Sequence, residues 1–383
     1  MKLRYFVDRF YSYFSTRILG ARDPHDIFNT LSAEELTWAK DRAKYCCPLN
    51  PLAHRQSFTF YRDSERGTLQ LSDLTFPFFA KGPRHSNYIL DLFNTLAYFP
   101  RDLWVNYIFG DITEIPDIPT FVKSRPICPG NNNSVIVPLN THRHFQWVDD
   151  TTPWIEKKSA CVMRNLWANK KRADMLDKWH GNPHFDLGIT GNFDGRPEWT
   201  VQPMTRQQQL GFRYIACIEG NDVATNLKWV MSSNSIALMP RPEFEIWFME
   251  GRLKPDYHYL EVKPDYSDAL EKIQWLDKNP SKADAIIANA HDWSAVSGIR
   301  ASNLPQPFSP QAATSTPPDN NSDITYILTE SASIRSRNDW VMAFTRFSIS
   351  FRSIKPSAIF SRIRGSLFRS KTPTISSSDH SII

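Results

Sequence analysis

The stretch from Tyr214 to Met239 constrains the fold more than any other part of the chain. YIACI (214–218) is a continuous apolar run, EGND (219–222) is a turn, VATNLKWVMS (223–232) carries Val223, Leu227 and Met231 at i, i+4 and i+8, and SIALM (235–239) is apolar again. Short apolar runs bounded by turn residues read as buried strands, and the 3.6-residue stripe reads as a helix. Strand, helix and strand in so short a span make a βαβ unit, which requires a parallel sheet covered on both faces. Asp222 is placed to cap the helix. Helix N termini in such units lie at the carboxyl edge of the sheet and present N–H groups suited to phosphate. Lys228 falls with Thr225 on the predicted polar face and leans back toward that N terminus. An anion bound there is one partner for it; Asp222 or solvent is the other.

The pattern recurs. VNYIF (105–109), SVIVPL (134–139) and HYLEV (258–262) read as strands, and 34–45, 87–98, 169–178 and 267–277 as helices. The alternation predicts an α/β fold, and 383 residues exceed one ordinary core. The expected organisation is a first domain over 1–155, a second over 156–302, a Pro/Ser/Thr-rich linker over 303–336 and a basic amphipathic or disordered tail over 337–383, with the break between domains near 150–158.

Charge and cysteine usage narrow the function classes. Residues 301–383 hold nine Lys/Arg against five Asp/Glu, whereas the rest holds 36 against 35. A neutral body lacks the basic stripe of a duplex-binding protein, so no nucleic-acid partner is expected. Five cysteines, only Cys46 and Cys47 close together, fit neither a disulfide framework nor a zinc ribbon and point to a reducing compartment. Near the start, Phe6, Phe10, Phe14 and Ile18 recur at about one helical turn with arginines between them. This is either a helix lying on an anionic bilayer or an ordinary first helix. With the Arg- and Phe-rich tail, it leads to the expectation of a cytoplasmic protein peripheral to the inner face of a membrane.

Three constellations could carry chemistry. The first is the helix N terminus before Lys228. The second is NYIFGD, where Asp111 follows an apolar strand and a glycine, the position at which catalytic carboxylates are presented and also that of an Asx turn. The third is ACVMRNLWANKKRADMLDKW (160–179), where Arg164 and the Lys170, Lys171, Arg172 cluster flank a turn before a helix, as phosphate ligands or as a solvated face. Other signals fail. Pro183 separates His180 from His184 on any helix, GNFDG matches no phosphate-loop pattern, and neither a nucleophile elbow nor a DxD metal motif occurs, so no metal and no cofactor are expected.

Residues 219–276, EGNDVATNLKWVMSSNSIALMPRPEFEIWFMEGRLKPDYHYLEVKPDYSDALEKIQWL, closely resemble the core of glycosyltransferase family 90. That group includes lipopolysaccharide-modifying and CAP10-like enzymes and the animal protein O-glucosyl- and O-xylosyltransferases. PTFVKSRPI (119–127), LNTHRHF (139–145) and the MRN…KKR stretch resemble its bacterial branch in the same order, so the similarity covers roughly 85–300. The resemblance implies a GT-B type architecture, two Rossmann-like domains facing across a cleft, with acceptor on the first and nucleotide-sugar on the second. It further implies an inverting, metal-independent transferase that moves a hexose from a nucleotide-sugar, a UDP-sugar by expectation, to a lipopolysaccharide or other glycan or glycolipid acceptor. Protein O-glucosyl or O-xylosyl transfer, and a non-catalytic glycan-binding or membrane-scaffold role, are the alternatives. The family's base corresponds to Asp111 and its donor segment to Val223, Ala224, Thr225, Asn226 and Lys228. Its upstream basic contacts correspond to Arg164 and Arg172, and the acceptor side to Arg143 and His144. Lys228 replaces the arginine of the animal branch, and Asn165 stands where members carry glycine.

Overall fold

The computed structural model describes residues 32–48, 66–70, 88–89, 91–92, 96, 104–191 and 196–296. The N-terminal amphipathic stretch, the linker and the basic tail lie outside the described residues, as does GNFDG except Gly191. Helix α1 (Ala33–Cys46) opens with a capping box in which Ser32 Oγ accepts from Glu35 N (3.2 Å) and Glu35 Oε2 accepts from Ser32 N (3.0 Å). Strands β1 (Arg66–Gln70), β2 (Trp104–Ile108), β3 (Thr120–Val122), β4 (Ser124–Pro126) and β5 (Ser134–Ile136) follow. They form a sheet of order β1-β2-β3-β5, antiparallel at β1 and parallel elsewhere, with β4 outside it. Leu92, Phe121, Val135 and Val137 belong to its core, and the short helix α2 (Thr141–His144) follows.

The second sheet is wholly parallel. Between β6 (Lys158–Asn165) and β7 (Phe185–Ile189) runs α3 (Lys170–Trp179); α4 (Arg206–Gln209) precedes β8 (Phe212–Ala216), and α5 (Leu227–Met231) joins it to β9 (Ile236–Met239). After β10 (Phe244–Ile246) come β11 (Leu260–Glu261), α6 (Ala269–Asp277) and α7 (Pro280–Val296). The order is β11-β9-β8-β6-β7. Along β6 and β9, Cys161, Met163, Ile236 and Leu238 pack into one apolar layer and Ala160, Val162, Ala237 and Met239 into the other. Burial on both faces is why these strands read as unbroken apolar runs.

Strand β10 belongs to neither sheet: it pairs antiparallel with β4, and Trp247 and Met249 just beyond it are buried in the core of the first sheet. Glu245 on β10 accepts from Arg125 Nε (2.8 Å) and from Tyr45 Oη (2.6 Å), joining β4, β10 and α1. The chain thus returns from the second half to close against the first. The fold is α/β with parallel strands in both sheets.

Two expectations change. The helix expected over 223–232 is only five residues long, with Asn226 rather than Asp222 at its N-cap position and no side-chain cap. Residues 219–226 instead form an extended loop whose polar groups reach outward to other elements. Helix α7, seventeen residues long, was not expected; its stripe of Ala283, Ile286, Ile287 and Ala290 is diluted by alanines.

Candidate functional site

The strand order of the second sheet switches at β6: from it the chain moves to β7 on one side and then to β8 on the other. In open parallel sheets the connections diverge at such a point and leave a crevice at the carboxyl ends of the strands. Here the crevice lies between the start of α3 and the loop after β8. Asn169 spans it, capping α3 by accepting from Arg172 N (3.1 Å) while its amide donates to the carbonyls of Glu219 (3.1 Å) and Gly220 (2.8 Å). A cavity of about 440 Å³ opens beside it, lined among others by Lys171, Glu219, Val223, Ala224 and Tyr266.

The groups around this cavity are unequally satisfied. Lys171 pairs with Glu219 (2.6 Å) and Glu243 (2.8 Å), and Glu219 Oε1 also accepts from the N–H groups of Glu243 and Phe244 (both 3.0 Å). Arg172 has no carboxylate partner among the described residues. It donates to the carbonyls of Trp167 (3.2 Å) and Ile218 (3.3 Å) and lies 5.0 Å from the Trp167 ring centroid, while its buried Nε has no partner there. Burial lowers its pKa to about 10. Gly220 permits this approach, since a Cβ there would lie 3.1 Å from Arg172 Nη2. Tyr266 is fully buried, adopts a left-handed φ of 58° and leaves its hydroxyl without a partner among the described residues. Among those residues no cluster of three or more His, Cys, Asp or Glu could hold a metal ion, and no helix is long and apolar enough to cross a membrane.

Asp111 stands at the end of the first sheet. Beyond β2 the chain turns at Gly110, whose φ of 107° disfavours any side chain, and Ile112 N is held by Ser124 Oγ (3.1 Å). The carboxylate takes its hydrogen bonds from other loops: Oδ1 from Lys123 Nζ (2.5 Å) and Oδ2 from Asn221 Nδ2 (3.2 Å). Lys123, 1% exposed, also pairs with Asp222 Oδ2 at 2.7 Å. Burial pushes the Asp111 carboxyl up, but Lys123, Asn221 and the charge of Arg143 outweigh it and hold the group below its ordinary value. Lys123 is itself raised: burial opposes its charge, and Asp222, Tyr88 and Asp111 overcome it.

The structure brings Asp111, Arg143, Arg172, Val223 and Ala224 into one neighbourhood. The charge of Arg143, an exposed residue on α2, acts on both Asp111 and Arg172, whereas the adjacent His144 is buried. Thr225 is half-buried, and Asn226 ties the loop to the end of β8 by donating to Ala216 O (3.0 Å). Arg164 is engaged elsewhere, with Nη2 on Asp186 (2.6 Å) and Nη1 on the carbonyl of Asp186 (2.7 Å). Lys228 corrects the sequence reading most sharply. All five residues of α5 are buried, so the helix has no polar face, and Lys228 Nζ lies 2.6 Å from Glu250 Oε1 with both side chains almost wholly enclosed.

Comparison with known proteins bears on this arrangement. The sequence model for glycosyl transferase family 90 matches residues 140–297. The chain is 42% identical over 208 residues to O-glucosyltransferase LpsA of Dichelobacter nodosus, a match covering 54% of this chain and 65% of the relative. Residues 140–297 are thus similar to glycosyl transferase family 90. Human protein O-glucosyltransferase 3 is 27% identical over 141 residues, covering 35% of this chain and 27% of that protein. Each match therefore spans less than two thirds of the relative's own length.

Four residues of the site escaped sequence reasoning. Lys123 stood inside PTFVKSRPI without a role, and Asn221 was read only as part of a turn. Glu250 and Tyr266 gave no local signal, since a buried ion pair across 22 positions and a left-handed tyrosine become visible only in three dimensions.

Proposed function

We propose that this chain is a glycosyltransferase that moves a hexose from a nucleotide-sugar to a hydroxyl of a lipopolysaccharide or other glycolipid, with inversion and without a metal. The family match over residues 140–297 supports transfer chemistry, and both named relatives are described as O-glucosyltransferases, which favours glucose. The observation that carries the reading is that one stretch of chain, 218–224, joins three things: Asn221 donates to Asp111, whose carboxyl is held below its ordinary value, Val223 and Ala224 line the cavity, and the Ile218 carbonyl accepts from Arg172, a cation lacking a carboxylate partner among the described residues.

In this reading the two sheets are the Rossmann-like halves of a GT-B enzyme and the donor lies at the switch point of the second. The acceptor hydroxyl loses its proton to Asp111 as its oxygen bonds to the anomeric carbon, and the bond from that carbon to the diphosphate breaks on the opposite face. Charge grows on the departing diphosphate, where Arg172, Arg143 and the Tyr266 hydroxyl supply donors. The basic aromatic termini bring the enzyme to an anionic bilayer on the cytoplasmic side, near a glycolipid acceptor.

The test is Asp111→Asn assayed with UDP-glucose. Transfer to lipopolysaccharide acceptor is expected to vanish while UDP affinity by calorimetry stays close to that of the parent. An Asn variant that still transfers removes Asp111 from the role of base.

A further inference from the structure

The second carboxylate on Lys123 has no part in the scheme above, and its placement is unusual. Lys123 is 1% exposed and lies between Asp111, at the end of the first sheet, and Asp222, in the loop of the second half. Asp222 is itself buried, at 4% exposure, and touches neither the cavity lining nor a helix N-cap position. Asp111 remains one-third exposed and is the member of the trio that a substrate can reach.

We propose that Asp222 enables Asp111 to accept a proton by remaining the counter-charge of Lys123 when Asp111 is neutralised. This rests on the reading of Asp111 as base. When the acceptor O–H bond breaks, its proton passes to an Asp111 oxygen and its electron pair forms the bond to the anomeric carbon, whose bond to the diphosphate breaks with the pair leaving on oxygen. Asp111 is then neutral. With Asp111 alone as partner, the buried ammonium would become an uncompensated charge, which is strongly unfavourable in an enclosed site. With Asp222 at 2.7 Å the ammonium keeps its ion pair throughout, and the trio passes from one net negative charge to none. Asp222 touches no reacting atom; it acts through Lys123 and is a positioning residue in that sense.

The charged and titratable groups facing Asp111 are Lys123 from the β3–β4 connection, Arg143 from α2, and Tyr88 and Asp222 through Lys123, with Asn221 as a neutral donor. The test records the pH dependence of UDP release from UDP-glucose for the parent, Asp222→Asn, Lys123→Met and the double variant. Asp222→Asn should lower kcat with little change in KM, and move the acid limb to lower pH by about one unit, the scale on which one neighbouring charge acts. Lys123→Met leaves two carboxylates facing each other and should move the limb up. The double variant restores the charge balance, so its limb should fall back below that of Lys123→Met by about one unit.

If Asp222→Asn does not fold, the double variant, whose one remaining charge among the three is the partly exposed Asp111 carboxylate, carries the comparison with Lys123→Met. Coincident limbs in those two variants, or an Asp222→Asn limb at the parent position, overturn the proposal. An active Asp111→Asn enzyme instead overturns the reading on which it rests, so the two failures are distinguishable.

Discussion

Replacing Lys228 with methionine separates two accounts of that residue by a wide margin. In the native chain its ammonium lies 2.6 Å from Glu250 Oε1, with side chains 0% and 1% exposed. Methionine keeps the stem and leaves Glu250 a buried carboxylate held by the Ile246 N–H at 2.8 Å. Removing one member of a buried ion pair destabilises by about 3–5 kcal/mol. At about 2–4 °C per kcal/mol for a domain of this size, Tm should fall on the order of 10 °C. The loss should depend on pH. Burial already raises Glu250 above its ordinary 4.5 against the pull of Lys228, and without the ammonium it rises further. A carboxyl whose pKa is higher in the folded state holds its proton more tightly there, so stability is lost as pH climbs from the unfolded value through the folded one. The deficit of Lys228→Met should therefore be smallest near the unfolded carboxyl value and grow as pH rises through the folded one. Lys228→Met combined with Glu250→Gln leaves no buried charge and should recover most of it. Scanning calorimetry across that range measures the effect, with UDP titration below both transitions. A Lys228→Met protein that unfolds like the parent but binds UDP tenfold more weakly would refute the reasoning and return the lysine to the ligand.

Two further tests address neighbouring claims. Arg172→Ala should weaken UDP binding by roughly 1.5–3 kcal/mol, the contribution of a charged hydrogen bond, whereas Arg164→Ala should lower Tm and leave UDP affinity unchanged, because its guanidinium is held by Asp186. Gly110→Ala places a side chain at a φ of 107° and should cost about 1–3 kcal/mol in urea unfolding, with kcat falling more than KM rises because Asp111 is the next residue.

The strands were legible because burial on both faces leaves a plain signature: YIACI and SIALM contain no polar residue other than the serine that opens the second. What periodicity could not reach was the depth of what it described. A stripe beginning at Val223 gives Lys228 a polar face, but the helix starts four residues later and its single turn is enclosed by the segment bearing Glu250. Asp111 was legible from its place after strand and glycine, whereas its environment was not, since its partners arrive from 12 and 110 positions away. Arg164 and Arg172 look equivalent along the chain. Asp186, on the strand beside Arg164, separates them, and no local pattern announces it.

The loop from Glu219 to Asn226 gathers these observations into one constraint. Glu219 ties it to Lys171 and the start of β10, Gly220 yields space to Arg172, Asn221 and Asp222 hold Asp111 and Lys123, Val223 and Ala224 wall the cavity, and Asn226 fixes it to β8. An acid that periodicity reads as a helix cap is therefore one end of an ionic bridge to the other sheet. Consecutive residues of the loop thus contact the cavity and the carboxylate. In the proposed reaction the residues that would meet the donor and those that hold the base are therefore neighbours on one loop, so substitutions in 219–226 should be scored on both UDP affinity and transfer rate.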